Sequence, residues 1–178
     1  MIAVDRTTSE TNIHVEMAIG SGHADVRTGV PFLDHMMTAL SRYSGLDLTV
    51  VASGDLRHHL IEDVALTVGE ALRRVLPSTC ARYGECTVPM DEALVQAVLD
   101  AGGRPYYRGP VPSSLYDHWM RSFSDASRVT LHLRVLRGTD RHHVVEAAFK
   151  ALGVALRQAL VDTGTVFSTK GAVTLEDG

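Results

Sequence analysis

Apolar and polar residues alternate along TNIHVEMAI (11–19), LDLTVV (46–51), EALVQAVLD (92–100) and VTLHLRV (129–135), and a period of two predicts half-buried strands. A different spacing governs Leu60, Val64, Val68, Leu72 and Val75, and again Val145, Phe149, Leu152, Leu156 and Leu160. Intervals of three and four residues predict two amphipathic helices, with Pro77 and Gly164 marking where each has finished. A further helix is expected from Pro31 to Ser44, with Pro at its start and Gly45 at its stop. Gly20 to Gly22 and Gly102 to Gly103 punctuate the strands.

The pattern repeats. Residues 58–76 (HHLIEDVALTVGEALRRVL) laid over 142–160 (HHVVEAAFKALGVALRQAL), an offset of 84, share eight identities in 19 positions. Around His35, FLDHMMTAL precedes its echo LYDHWMRSF, around His118, by 83 residues. Two agreeing offsets imply a duplicated unit. The expected fold is α+β, made of two duplicated βαβα-type halves, 1–86 and 87–178, each a mixed sheet with two helices covering one face.

The duplicated residues carry chemistry. On a helix, residues four apart share a face while adjacent ones diverge by about 100°. His58 and Glu62 can therefore grip one ion while His59 looks elsewhere, and His142, Glu146 and His143 repeat the arrangement. If the halves face each other, one ion takes His58, Glu62, His143 and His118, and the other His142, Glu146, His59 and His35. Three imidazoles and a carboxylate leave coordination positions open, which a catalytic site needs. His14, His23 and His132 have no counterpart in the other half and read as surface or hydrogen-bonded residues. Zinc, iron, nickel and manganese all suit such donors.

Composition narrows the classes. A net charge of −4 without a basic run argues against nucleic-acid binding. No apolar run approaches the roughly 20 residues of a membrane span. The start, MIAVDRTTSE, does not read as a secretory signal, so a cytoplasmic location is expected. Cys80 and Cys86 read as reduced structural thiols.

RTTSET, FLDHM, DLRHHLIEDV, PMDEAL, GRPYY, DHWMRSF, HHVVEAAFKALGVALRQAL and FSTKG follow one another along nearly the whole chain, and together they resemble the imidazoleglycerol-phosphate dehydratase family of histidine biosynthesis. The resemblance implies a lyase with two manganese ions per active site, acting on a small phosphorylated imidazole. It also implies a homo-oligomer of twenty-four subunits with active sites at subunit contacts. Arg82, Arg104, Ser168 and Lys170 would bind the substrate phosphate, and Glu10, Glu146 and Lys150 would serve catalysis. The chemistry accords with the histidines: with no carbonyl beside the proton to be removed, the imidazole ring must accept the electrons, and ions on both ring nitrogens favour its deprotonated form.

The chain also departs from the family pattern. Thr38 and Ala39 stand where the family commonly has Asp-Gln, the Gln touching substrate; Gly102 stands for Ser, and Leu60 for Thr. The loops before His118 and before FSTKG are short, and little C-terminal arm is expected. No fused phosphatase domain is expected. Two other classes compete: a binuclear metallohydrolase of phosphate esters, which normally relies on aspartates bridging the ions, whereas Asp34 and Asp117 precede histidines on helices and have no obvious bridging role, and a noncatalytic metal-binding assembly protein, which would saturate its ions.

Overall fold

The computed structural model describes residues 1–166 of the 178. The first half runs β1 (Ile2–Thr7), β2 (Thr11–Ile19), β3 (Ala24–Arg27), α1 (Pro31–Ser44), β4 (Leu46–Gly54) and α2 (Arg57–Val75). In the second come β5 (Tyr83–Met90), β6 (Ala93–Asp100), β7 (Tyr106–Arg108), α3 (Ser114–Ser127), β8 (Thr130–Arg137) and α4 (Arg141–Ala159). Each half forms a four-stranded sheet, ordered β1-β2-β4-β3 and β5-β6-β8-β7. Pairing is antiparallel except for the short edge pairs β3–β4 and β7–β8. The sheets part between α2 and β5, a few residues before the expected division at position 86.

The alternating segments become central strands because one face of each sheet is covered. Ile13, Val15 and Met17 of β2 and Val95, Ala97 and Leu99 of β6 point inward, with at most 1% of their surface exposed. Helices α1 and α2 lie on the first sheet, α3 and α4 on the second, and the helix layers meet through the pairs α1–α4 and α2–α3. The order of layers is sheet, helices, helices, sheet, and buried residues of both halves join in one core. Among the described residues no helix is long and apolar enough to cross a membrane. Cys80 and Cys86 are both free.

The glycine matched between the halves has a physical reason. A Cβ on Gly69 of α2 would lie 2.8 Å from the Phe123 carbonyl oxygen and from Ala126 Cβ of α3. Its counterpart, Gly153 of α4, would bring a Cβ within 2.7 Å of Tyr43 Cβ on α1. Both seams between the halves thus depend on a missing side chain. The helix stops also correspond: Gly45 ends α1 in the left-handed region at φ 76°, and Arg128 takes the same role after α3 at φ 58°. Helix α4 stops at Ala159, before Gly164, because Val161 and Arg82 already close its last turn, Arg82 N–H donating to the Ala159 carbonyl.

Candidate metal centre

All four helices place their first turns at the end of the bundle that carries the histidines. Before α1 and α3 an aspartate ties down the entering loop. Asp34 accepts from the Thr28 backbone N–H at 2.9 Å and from its hydroxyl at 2.5 Å. Asp117 accepts from the Tyr107 hydroxyl at 2.7 Å and the Val111 N–H at 3.0 Å. The next residue in each helix, His35 or His118, is thereby aimed across the seam at the other half.

Two clusters result. Glu146 Oε2 lies 3.2 Å from His35 Nε2 and 3.2 Å from His142 Nε2. In the other cluster Glu62 Oε2 lies 3.2 Å from His118 Nε2 and 3.6 Å from His58 Nε2. The donor atoms of each triad all sit within 4.8 Å of one another. His118 Nε2 is buried without a hydrogen bond, a state that a ligated ion would relieve. Imidazole nitrogens and a carboxylate oxygen at this spacing fit a first-row divalent ion.

The remaining histidines of the two expected sets do not join these triads within the chain. His59 Nδ1 lies 3.0 Å from Asp55 and 3.4 Å from Glu10. His143 Nδ1 lies 2.7 Å from Glu92, with Asp91 3.6 Å from its Nε2. The hydrogen bond with Asp55 raises the His59 pKa, and that with Glu92 does the same for His143. Glu92 itself falls to about 2, held by the Asp140 N–H and His143. A carboxylate behind Nδ1 fixes each imidazole, the usual support of a metal-binding histidine. The Asp55 support was readable as an i,i+4 pair, whereas Asp91 and Glu92 reach His143 only through the β5–β6 turn.

Lys150 Nζ sits 2.9 Å from Glu146 Oε1 and over the Tyr43 ring. Burial pushes the Glu146 carboxyl up, but Lys150 and His35 outweigh it and hold the group below its ordinary value. Glu10 belongs with His59, at the β1–β2 turn. Thr38 spends its hydroxyl on the Asp34 carbonyl at 2.8 Å, and Ala39 is buried, so neither offers a polar contact in place of the family Gln.

The expected phosphate ligands lie elsewhere. Arg82, at φ 73°, grips Asp100 in a fork of 2.7 and 3.0 Å and borders a cavity of about 280 Å³ with Gly102 and Val166. Arg104 is exposed, and its carbonyl accepts from the Thr130 hydroxyl. Ser168 and Lys170 lie outside the described residues. Arg82 is fastened to Ala159, and thirteen residues of α4, roughly 20 Å of helix, separate that point from Glu146. The metal triads and Arg82 occupy opposite ends of the helix layers.

This duplicated α+β frame with two cross-half donor triads defines a candidate metalloenzyme. The family model described as imidazoleglycerol-phosphate dehydratase (IGPD) matches residues 28–156. The chain is 48% identical to the imidazoleglycerol-phosphate dehydratase of Salinispora tropica, over 96% of this chain and 97% of that protein. Against the enzyme of Kineococcus radiotolerans it is 44% identical, with the same shares covered. The crystal structure of IGPD from Pyrococcus furiosus superposes with a TM-score of 0.86 at 41% identity, covering 96% of this chain and 100% of that one. The Staphylococcus aureus enzyme gives 0.79 at 32% identity, over 92% of this chain and 100% of that one. The chain belongs to the imidazoleglycerol-phosphate dehydratase family and, with it, to the carbon–oxygen hydro-lyases.

Proposed function

We propose that the protein removes water from imidazole glycerol phosphate to give imidazole acetol phosphate in histidine biosynthesis, using two manganese ions. The observation that carries this reading is the pair of triads, His35/His142/Glu146 and His58/Glu62/His118, each built from both halves. Bound there, divalent ions supply Lewis acidity to the nitrogens of an imidazole ring. Glu146 holds Lys150 beside the ring site, where the ammonium can give a proton and the amine so formed can take one back.

One chain does not complete such a site. A three-carbon link between ring and phosphate cannot span the distance from the triads to Arg82. Neighbouring copies must then supply Arg82, with Arg104, Ser168 and Lys170, to a site whose triad belongs to another chain. His59 and His143, anchored from behind by carboxylates, are the groups suited to complete a neighbour's triad, and Glu10 travels with His59. This supports an assembly of many subunits, consistent with the twenty-four that the resemblance implies. The absence of a nucleic-acid partner accords with the acidic chain, a small anionic substrate is accommodated by a few arginines whose local pocket the net charge hides, and a cytoplasmic setting without a membrane partner belongs to the same reading.

The metallohydrolase alternative wants aspartates bridging the ions, and Asp34 and Asp117, expected to have no such role, are committed to their loops. The deciding experiment assays manganese-loaded protein for conversion of imidazole glycerol phosphate to the ketone, beside His58→Ala/His142→Ala. Ketone from wild type alone supports the reading, and no ketone from folded, metal-replete wild type overturns it.

A further inference from the structure

A cavity of about 320 Å³ opens at the same end of the bundle, where the first turns of all four helices converge. Its walls include Arg57 and Arg141, the residues just before the two HH pairs and 84 positions apart, so the duplication sets two guanidiniums around one space. Neither arginine forms an ion pair with an acid among the described residues, and no carboxylate lines the cavity. The nearby acids are engaged: Asp34 holds Thr28, and Asp140 accepts from the His142 N–H at 2.7 Å. Ser113 caps no N–H of α3, so its hydroxyl is available to a ligand.

A separate observation points the same way. Tyr116 lines the cavity, is 3% exposed, and its buried hydroxyl makes no hydrogen bond. Arg57 is a donor close enough to this phenol to oppose, by incipient hydrogen bonding and by charge, the rise that burial imposes, but short of a well-formed bond. A buried orphan hydroxyl is costly. An anion held by one edge of Arg57 would fix the guanidinium and leave another N–H to donate to the phenol oxygen. The Phe32 ring, 5.0 Å from both Tyr116 and His142, offers an apolar wall beside the charged rim.

We propose that this cavity is an accessory oxyanion site taking phosphate or a phosphomonoester, gripped by Arg57 and Arg141 and bonded by Ser113, with any organic portion against Phe32. Two guanidinium forks facing an acid-free pocket match the oxygen geometry of phosphate. The site is distinct from the Arg82 cavity at the other end of the helices, and it stands whether or not the dehydratase reading does.

The test is equilibrium dialysis of radiolabelled inorganic phosphate with the assembled, metal-loaded protein. Arg57→Gln/Arg141→Gln should bind one phosphate fewer per chain than wild type, or bind that one at least tenfold more weakly. Arg82→Gln should leave this class intact, and Arg57→Lys/Arg141→Lys should restore part of it. Tyr116→Phe should bind phosphate no more tightly than wild type, since binding then no longer relieves the buried hydroxyl. Should the Gln pair not assemble, the Lys pair decides, by a measurable loss in the same class. Equal stoichiometry and affinity in wild type and an assembled Gln or Lys pair overturn the proposal. So does a wild type that binds nothing sensitive to these arginines, as when a neighbour's acidic side chain fills the cavity.

Discussion

His35 Nε2 and Glu146 Oε2, 111 positions apart in sequence, meet at 3.2 Å across the seam between the halves. His118 and Glu62 repeat the contact with the halves exchanged. Equivalent losses are therefore expected from His35→Ala and His118→Ala. Each should leave the fold intact, lower bound metal by about one ion per chain in elemental analysis, and cut turnover by at least ~100-fold.

Carboxylates behind His59 and His143 give a second test. Asp55→Asn and Glu92→Gln keep the hydrogen bonds' shape but remove the charge that raises each imidazole's basicity. Metal affinity should fall about 10- to 100-fold, the usual effect of such supports. Unchanged affinity, measured by competition with a chelator, would mean that His59 and His143 are not ligands in the assembly.

Close approach of the helices at Gly69 and Gly153 makes both intolerant of a methyl group. Alanine gains up to about 1 kcal/mol of helix propensity, but contacts of 2.8 Å and 2.7 Å at the added Cβ must be relieved. Overpacking of this kind costs about 1–3 kcal/mol. Gly69→Ala should lower the thermal midpoint, because its neighbour is backbone and cannot swing aside.

Glu70 supplies the pH test away from the site. Its carboxylate accepts from Arg73 and Arg74, which bring its pKa to about 2 from 4.5 in the unfolded chain. A depressed folded pKa means that the stabilisation is full above pH 4.5, shrinks as pH falls, and is gone below about 2. Both arginines are about half exposed, so the contribution is no more than about 1 kcal/mol. Glu70→Gln should be less stable than wild type by up to that amount at pH 7 in urea titrations, with the gap narrowing between pH 5 and 3.

The histidine helices and the central strands were legible because each buries one face, and burial is what writes periodicity into a sequence. β3 and β7, four and three residues long, pair along one edge and leave too few positions to show a period. Edge strand β5 carries Pro89 and buries only Gly84 fully, which hides its alternation. In the site, the duplication led to each HHxxE clip being grouped with the DH histidine of the other half, and the structure brings those same three residues together in each case. The duplication could not show that His59 and His143 stay outside the triads of their own chain, nor that Arg82 lies at the opposite end of α4. Those facts depend on which way neighbouring side chains fan around a helix and on where strands begin.

Cutting the chain between α2 and β5 tests the seam. Residues 1–82 and 83–178, expressed apart, should each take up little metal, and mixing them should restore uptake in elemental analysis. Silence from the mixture of folded halves would deny that the triads form across the seam.

Each half carries both a DH helix and an HHxxE helix, yet neither can close a triad by itself. The smallest object able to hold an ion is a couple of halves, whether fused or free. The stretch from Leu76 to Arg82 that links them then contributes effective concentration and no ligand to either triad. A half-length ancestor pairing with its own copy could have held the same two ions, and fusion would have added persistence before it allowed the two sites to diverge.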